Sequence, residues 1–156
     1  MTVTVLTISD RASRGVYPDR SGPEIEAVLH SSFPTAVLRR EIVPDEEQAI
    51  RAALGRHADA DFILTTGGTG IGPRDVTPEA TCAWCERLLP GIAEALRAGS
   101  LLETPLAMLS RGTAGLKGRT IVVNFPGSPK AARLCAETLA PVMEHALAML
   151  SGSGHP

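Results

Sequence analysis

The residues best suited to chemistry are the run Gly67-Gly68-Thr69-Gly70-Ile71-Gly72-Pro73-Arg74-Asp75. Glycines without Cβ atoms let a backbone turn tightly, take positive φ and bring N–H groups against a phosphate or another anion. Arg74 and a helix starting near Thr77 add positive potential beside it. The run lacks the Lys-Ser/Thr pair of a Walker A loop and does not match G-x-G-x-x-G with its downstream ribose acid. Alone it reads as an anion cradle, or as a tight turn between a strand and a helix. Asp75 closes the run, and a carboxylate beside a phosphate cradle repels the ligand unless a cation lies between them. Mg²⁺ does this when one or two carboxylates and phosphate oxygens hold it. Asp45 is the second candidate carboxylate and reads equally well as a helix N-cap, with Gln48 three residues on. Ser9-Asp10-Arg11 offers a ligand acceptor at Asp10, or only a turn. Ser110-Arg111 could present a hydroxyl and a guanidinium, but no His lies nearby in sequence to activate Ser110 as a nucleophile. Asn124-Phe125-Pro126-Gly127-Ser128-Pro129 offers an amide and free N–H groups, although a plain stop between strand and helix accounts for Pro126 and Gly127.

The elements around these residues alternate. Strands are expected at Thr2 to Ile8, Ala36 to Val43 and Asp61 to Thr66, the last central because it is apolar on both faces. Two further strands, Met108 to Ala114 and Thr120 to Asn124, are expected around a turn through Gly115-Leu116-Lys117-Gly118. Helices are expected from about Pro23 to His30, after Pro44-Asp45 with Asp45 as N-cap, and from Thr77 as N-cap with Pro78 first in the helix. Two more run from about Ile92 to Leu101 and from Lys130 to about Ser151. This order predicts an α/β fold, a three-layer α/β/α sandwich with a mostly parallel central sheet and a late antiparallel excursion. Residues 1–151 are expected to form a single domain and 152–156 a disordered tail. In such a sheet, ligands collect beyond the carboxyl ends of the strands, where the segments at Ser9 to Arg11, Asp45, Gly67 to Asp75 and Asn124 to Gly127 all fall.

Composition narrows the function. Only 3% of residues are aromatic against 44% hydrophobic, so aliphatic residues must form the core. The net charge is −2 with no basic stripe, which argues against a nucleic-acid partner. No apolar run approaches membrane-spanning length and the first segment is not built like a signal peptide, so a cytoplasmic protein is expected. Cys82-Ala-Trp-Cys85 has C-x-x-C spacing, but no second ligand pair accompanies it, and packing within a helix is the better reading. The four histidines are dispersed and read as surface residues.

The run Thr65 to Thr81, TTGGTGIGPRDVTPEAT, closely resembles the signature of the molybdopterin adenylyltransferases, both the bacterial enzymes and the G domains of the eukaryotic fusion proteins. Ser9-Asp10-Arg11-Ala12-Ser13, Pro18-Asp19-Arg20-Ser21-Gly22-Pro23, Val43-Pro44-Asp45, Thr104-Pro105 with Met108-Leu109-Ser110-Arg111, and Asn124 to Pro129 agree in order, so the resemblance covers about residues 3 to 150. It implies an α/β/α fold, commonly a homotrimer, and Mg²⁺-assisted transfer of AMP from ATP to molybdopterin with release of pyrophosphate. It implies catalytic and Mg²⁺-holding roles for Asp45 and Asp75 and a pocket position for Ser110. It also makes Gly67 to Gly70 and the turn at Asn124, Pro126, Gly127 and Ser128 lining of the ligand cleft. Ser9, Asp10, Arg74, Thr77, Glu79 and Arg111 join the candidate substrate-binding set, with Arg74 or Arg111 expected to steady phosphate charge. Hand-over of the product to a molybdenum insertase is a further implication. The alternatives are a non-catalytic pterin-binding paralogue, an insertase (whose extra domains this length cannot hold), a pyridine-nucleotide-acting relative, and a flavodoxin-like redox domain, which the scarcity of aromatics disfavours.

Overall fold

A computed structural model describes residues 1–153 and contains one six-stranded sheet in the order β2-β1-β3-β6-β5-β4. β1 (Thr2–Ile8), β2 (Val37–Val43), β3 (Phe62–Thr66) and β6 (Thr120–Phe125) run parallel. β5 (Ala114–Lys117) returns antiparallel against β6, and β4 (Arg87–Leu88) pairs antiparallel with β5. The sheet is therefore mostly parallel with an antiparallel end, as the alternating pattern predicts.

Both faces are dry because side chains alternate across the strands. Val3 and Val5 of β1, Phe62 and Leu64 of β3, and Val123 and Phe125 of β6 point to one face. There they meet α2 (Ser21–Ser32), α5 (Pro90–Leu101) and α6 (Pro129–Leu150). Leu6 and Ile8, Ile63 and Val122 point to the other, against α3 (Glu47–Arg56) and α4 (Thr77–Trp84). A four-residue helix, α1 (Asp10–Ser13), follows β1, with the Ser9 hydroxyl accepting from the Ala12 N–H at 3.2 Å.

Four local expectations differ from the structure. Asp45 is not a helix cap: α3 begins at Glu47 after Glu46, and Asp45 turns instead toward β1. Thr77 is already helical and its hydroxyl donates to the Gly67 carbonyl at 2.9 Å, so Val76 precedes the helix and Pro78 lies second in it. The segment expected as a strand from Met108 is a 3-10 helix over Pro105–Leu109, capped by the Thr104 hydroxyl, and the strand begins only at Ala114. Gly115 to Lys117 lie within that strand, which leaves Gly118, at φ +56, to make the turn. Gly152 and Ser153 hydrogen-bond back to Met149 and Ala148, while residues 154–156 of the expected tail lie outside the described residues.

The first residue after β3 shows why the glycine run is required. Gly67 has φ +104, and a Cβ there would stand 2.3 Å from the Ile8 carbonyl oxygen. Gly67→Ala should therefore destabilise the protein by at least about 1–3 kcal/mol. Gly55→Ala, in α3 with open space around it, should instead gain about 0.5–1 kcal/mol. Urea unfolding of the two variants checks this; equal stability of wild type and Gly67→Ala would contradict the geometry.

Candidate functional site

The loops that follow the parallel strands meet at one edge, and backbone contacts lock them together. The Gly67 N–H donates to the Phe125 carbonyl at 3.1 Å, and the Thr66 hydroxyl donates to the Pro126 carbonyl at 2.7 Å. A Cβ on Gly127 would lie 3.2 Å from the Gly67 Cα, so the loops after β3 and β6 touch backbone to backbone.

The loops after β1 and β2 are tied by a reciprocal exchange. The Asp10 N–H donates to the Asp45 carboxylate at 2.7 Å, and the Asp45 N–H donates to the Asp10 carboxylate at 3.1 Å. Arg74 reaches back across the cluster to Asp10, with Nε and Nη2 at 2.9–3.1 Å from the two carboxylate oxygens. Gly68, at φ +63, packs its Cα against this pair: a Cβ there would lie 3.1 Å from an Asp45 oxygen and 2.3 Å from the Thr77 hydroxyl. Asp75 sits farther along the same run, where one carboxylate oxygen accepts the Gly72 N–H at 2.8 Å and crowds Gly70 and Gly72.

These carboxylates feel one another. Burial pushes the Asp45 carboxyl above its usual range, and the Asp10 and Asp75 charges push it the same way, against the Asp10 N–H and Arg74. Asp10 goes down: burial would raise it, but hydrogen bonds from Arg74 and the Asp45 N–H outweigh that. Asp45 and Asp75 thus share one loop cluster and one electrostatic environment. No group of three or more His, Cys, Asp and Glu suited to a metal is present among the described residues. A carboxylate pair matches a Mg²⁺ ion that takes its remaining ligands from phosphate and water, and not a cage made wholly of protein.

The wall of a cavity of about 490 Å³ includes Gly68, Thr69, Gly70, Asp75, Ser110, Asn124, Pro126, Gly127 and Ser128. A smaller one of about 200 Å³ touches Ser9 and Gly67 beside Tyr17 and Arg20. Several candidates have their polar atoms engaged inside the protein. Arg111 donates to the Gly70 carbonyl at 2.7 Å and the Asp75 carbonyl at 2.6 Å, and pairs with Glu79. That hydrogen bond to Arg111 is the main reason the Glu79 carboxyl is lowered. Arg111 therefore clamps the segment carrying Asp75, and Arg74 is turned to Asp10, so neither guanidinium is free for phosphate in this arrangement. The Asn124 amide donates to Thr65 and Thr81 at 3.0 and 2.9 Å and accepts from the Thr113 N–H at 3.2 Å. The Ser128 hydroxyl caps α6 through the Ala131 N–H, and the Ser110 hydroxyl accepts from the Gly112 N–H at 3.3 Å.

Two groups outside the candidate set also shape the site. Asp19 accepts from the Thr7 hydroxyl at 2.8 Å and the Gly22 N–H at 3.0 Å, fixing the loop ahead of α2. Arg97 lines the larger cavity with Ala93, Leu96 and Ser100. Its signal was the i, i+3, i+4, i+7 spacing on α5, which puts an arginine on an otherwise inward-facing stripe. Cys85 packs on Gly115 at the end of α4, its thiol pushed up to about 11, chiefly by burial, while Cys82 is exposed. His30 and His145 are exposed, as expected. His57 is partly buried, with Nε2 2.7 Å from Glu41, and His155 lies outside the described residues.

The fold and its loop cluster define an α/β protein whose strand-end loops converge at the carboxyl edge of its sheet. The profile of the family described as "Probable molybdopterin binding domain" matches residues 4–145, and the chain belongs to that family. It is 41% identical over 155 residues to a molybdopterin adenylyltransferase of Helicobacter pylori strain J99, covering 97% of this chain and 88% of that one. The solved structure of the molybdopterin biosynthesis enzyme MoaB from Thermus thermophilus superposes with a TM-score of 0.87 at 44% identity, over 99% of this chain and 98% of that one. The molybdopterin biosynthesis Mog protein of Mycobacterium ulcerans gives 0.88 at 39% identity, over 96% and 98%. No helix among the described residues is long and apolar enough to cross a membrane.

The buried Asn124 amide gives a test of this architecture. Asn124→Ala leaves the Thr113 N–H and the Thr65 and Thr81 hydroxyls without that partner. It should cost at least about 1–3 kcal/mol in urea unfolding. Unchanged stability would show that the amide does not join β3, β6 and α4.

Proposed function

We propose that this protein is a molybdopterin adenylyltransferase: it transfers AMP from Mg·ATP to the phosphate of molybdopterin and releases pyrophosphate. The observation that carries the reading is the meeting of Asp45 and Asp75 around the Gly67–Gly70 backbone, in a chain about 40% identical to proteins bearing that name. Retention of both carboxylates favours an enzyme over a non-catalytic binding paralogue.

In the reaction a phosphate oxygen of the pterin attacks the α-phosphorus of ATP in line. The new P–O bond forms as the bond to the β-phosphate oxygen breaks, and pyrophosphate carries away the electron pair. The nucleophile is already an anion, so the site needs no strong general base, and positioning and charge compensation dominate. Asp45 and Asp75 would hold Mg²⁺, which when bound offsets charge on the triphosphate and the leaving group. The glycine backbone offers N–H groups to phosphate oxygens. Arg111 and Glu79 fix the loop that carries Asp75, and Asp10 and Arg74 fix the approach of Asp45. The same reading takes residues 1–151 as one domain, working as a cytoplasmic homotrimer that passes its product to a molybdenum insertase.

Purified protein mixed with molybdopterin, ATP and Mg²⁺ should yield a product heavier by one adenylyl group, with equimolar pyrophosphate. Asp75→Asn should keep pterin binding while its transfer rate falls by on the order of 10²-fold or more. Wild-type turnover by that variant at saturating Mg·ATP would refute the role given to Asp75.

A further inference from the structure

Arg97 stands apart from the rest of the charge on this protein. All 15 Lys and Arg residues are described, and Arg97 is the one among them that is not exposed. It lies on the inner side of α5, where its Nη1 donates to the Gly112 carbonyl at 2.7 Å and, at the limit of 3.5 Å, to the Ser110 carbonyl. Eight other Lys and Arg side chains pair with a carboxylate, but Arg97 has none within ion-pair distance among the described residues. Asp75, on the same cavity wall, turns one oxygen to the Gly72 N–H.

Arg97 lines the cavity, and Nε and Nη2 have no hydrogen-bond partner among the described residues. Among the described residues, the Thr4 hydroxyl is the one fully buried side-chain polar atom without a hydrogen bond. Nε and Nη2 of Arg97 are therefore not sealed in the core, and the open space beside this side chain is the cavity of about 490 Å³. Ala93, Leu96, Leu106 and Leu109 supply much of the nearby wall. A cation drawn partly out of water against aliphatic groups loses hydration that two carbonyls replace only in part. A planar guanidinium with unused N–H groups suits two oxygens of one phosphate. Gly127 and the N-cap Ser128, on the same wall, bring the positive end of the 22-residue α6 beside it.

We propose that Arg97 is a further substrate-binding residue, the cation that takes a phosphate group of the substrate inside this cavity. The identity of that substrate rests on the adenylyltransferase reading; the phosphate chemistry does not. Because Nη1 also holds the backbone at Ser110 and Gly112, occupation of the other donors would fix the Ser110 segment against the ligand.

The test is calorimetric titration of wild type, Arg97→Met and Arg97→Lys with four probes: pyrophosphate, ATP, a phosphorylated pterin and the same pterin without its phosphate. Arg97→Met should weaken at least one phosphorylated probe roughly 10- to 100-fold. It should leave the unphosphorylated pterin unchanged, and Arg97→Lys should recover part of the loss. Weakening of ATP and pyrophosphate alone places the nucleotide at Arg97; weakening of the phosphorylated pterin alone places the pterin phosphate there. Unchanged binding of every phosphorylated probe overturns the proposal, as does an equal loss for the unphosphorylated pterin, which would mark Arg97 as merely structural. Should the Met variant not fold, Arg97→Gln, which removes the charge but keeps a polar amide on the side chain, supplies the same comparison. No turnover enters these titrations, so Arg97-dependent phosphate binding without any adenylylated product would sink the transferase reading and leave this one standing.

Discussion

Two acidic side chains, Asp45 and Asp75, packed against one glycine run create the constraint that shapes this protein. Asp45 is partly withdrawn from water and lies in the fields of Asp10 and Asp75. The fold tolerates this through the paired N–H donation between Asp10 and Asp45 and the fork of Arg74 on Asp10. The Asp75 carboxylate carries no such cationic fork among the described residues; it accepts the Gly72 N–H instead. In the proposed reaction, a cation arriving with the substrate would offset the negative charge that Asp45 and Asp75 bring to the glycine run.

The sheet makes this crowding possible. Parallel strands send every loop that follows them to the same edge, and burial of both faces fixes the register in which they arrive. Phe62, Leu64, Val123 and Phe125 on one side and Ile63 and Val122 on the other hold β3 and β6 together. The glycine run and the Pro126–Gly127 turn consequently approach to van der Waals distance. The antiparallel end serves a different purpose. It brings the chain back from the 3-10 helix through Arg111, whose guanidinium bridges the Gly70 and Asp75 carbonyls and Glu79 and so joins the late part of the chain to the glycine loop.

What could be read from residue order was what depends on neighbours in sequence. The alternation in Thr2–Ile8 and the apolar run in Phe62–Thr66 were plain, as were the convergence of four loops and the family signature. What escaped depended on partners far along the chain. Asp45 has the spacing of a helix cap, yet its carboxylate bonds 35 residues back to Asp10. Thr77 looks like a cap, but the Gly67 carbonyl ten residues earlier captures its hydroxyl. The apolar run through Met108 and Leu109 looks like a strand; Thr104 and Pro105 start a 3-10 helix there instead, and much of its apolar surface stays exposed. Asn124 and Arg111 have the chemistry of ligand-binding residues, and only the structure shows the one joining strands and the other clamping a loop. Arg97 was hidden by the reverse effect, since an arginine among Ala, Leu and Ser on a helix draws no notice until the cavity beside it is seen.

The cation between the two aspartates is the claim on which the mechanism turns. Its most direct measurement is a crystal structure with Mn²⁺ and a non-hydrolysable ATP analogue, with the metal located by anomalous scattering. The account predicts a peak within coordination distance of both the Asp45 and Asp75 carboxylates and of a phosphate oxygen. Ordered nucleotide with its metal bound away from these two side chains would contradict it.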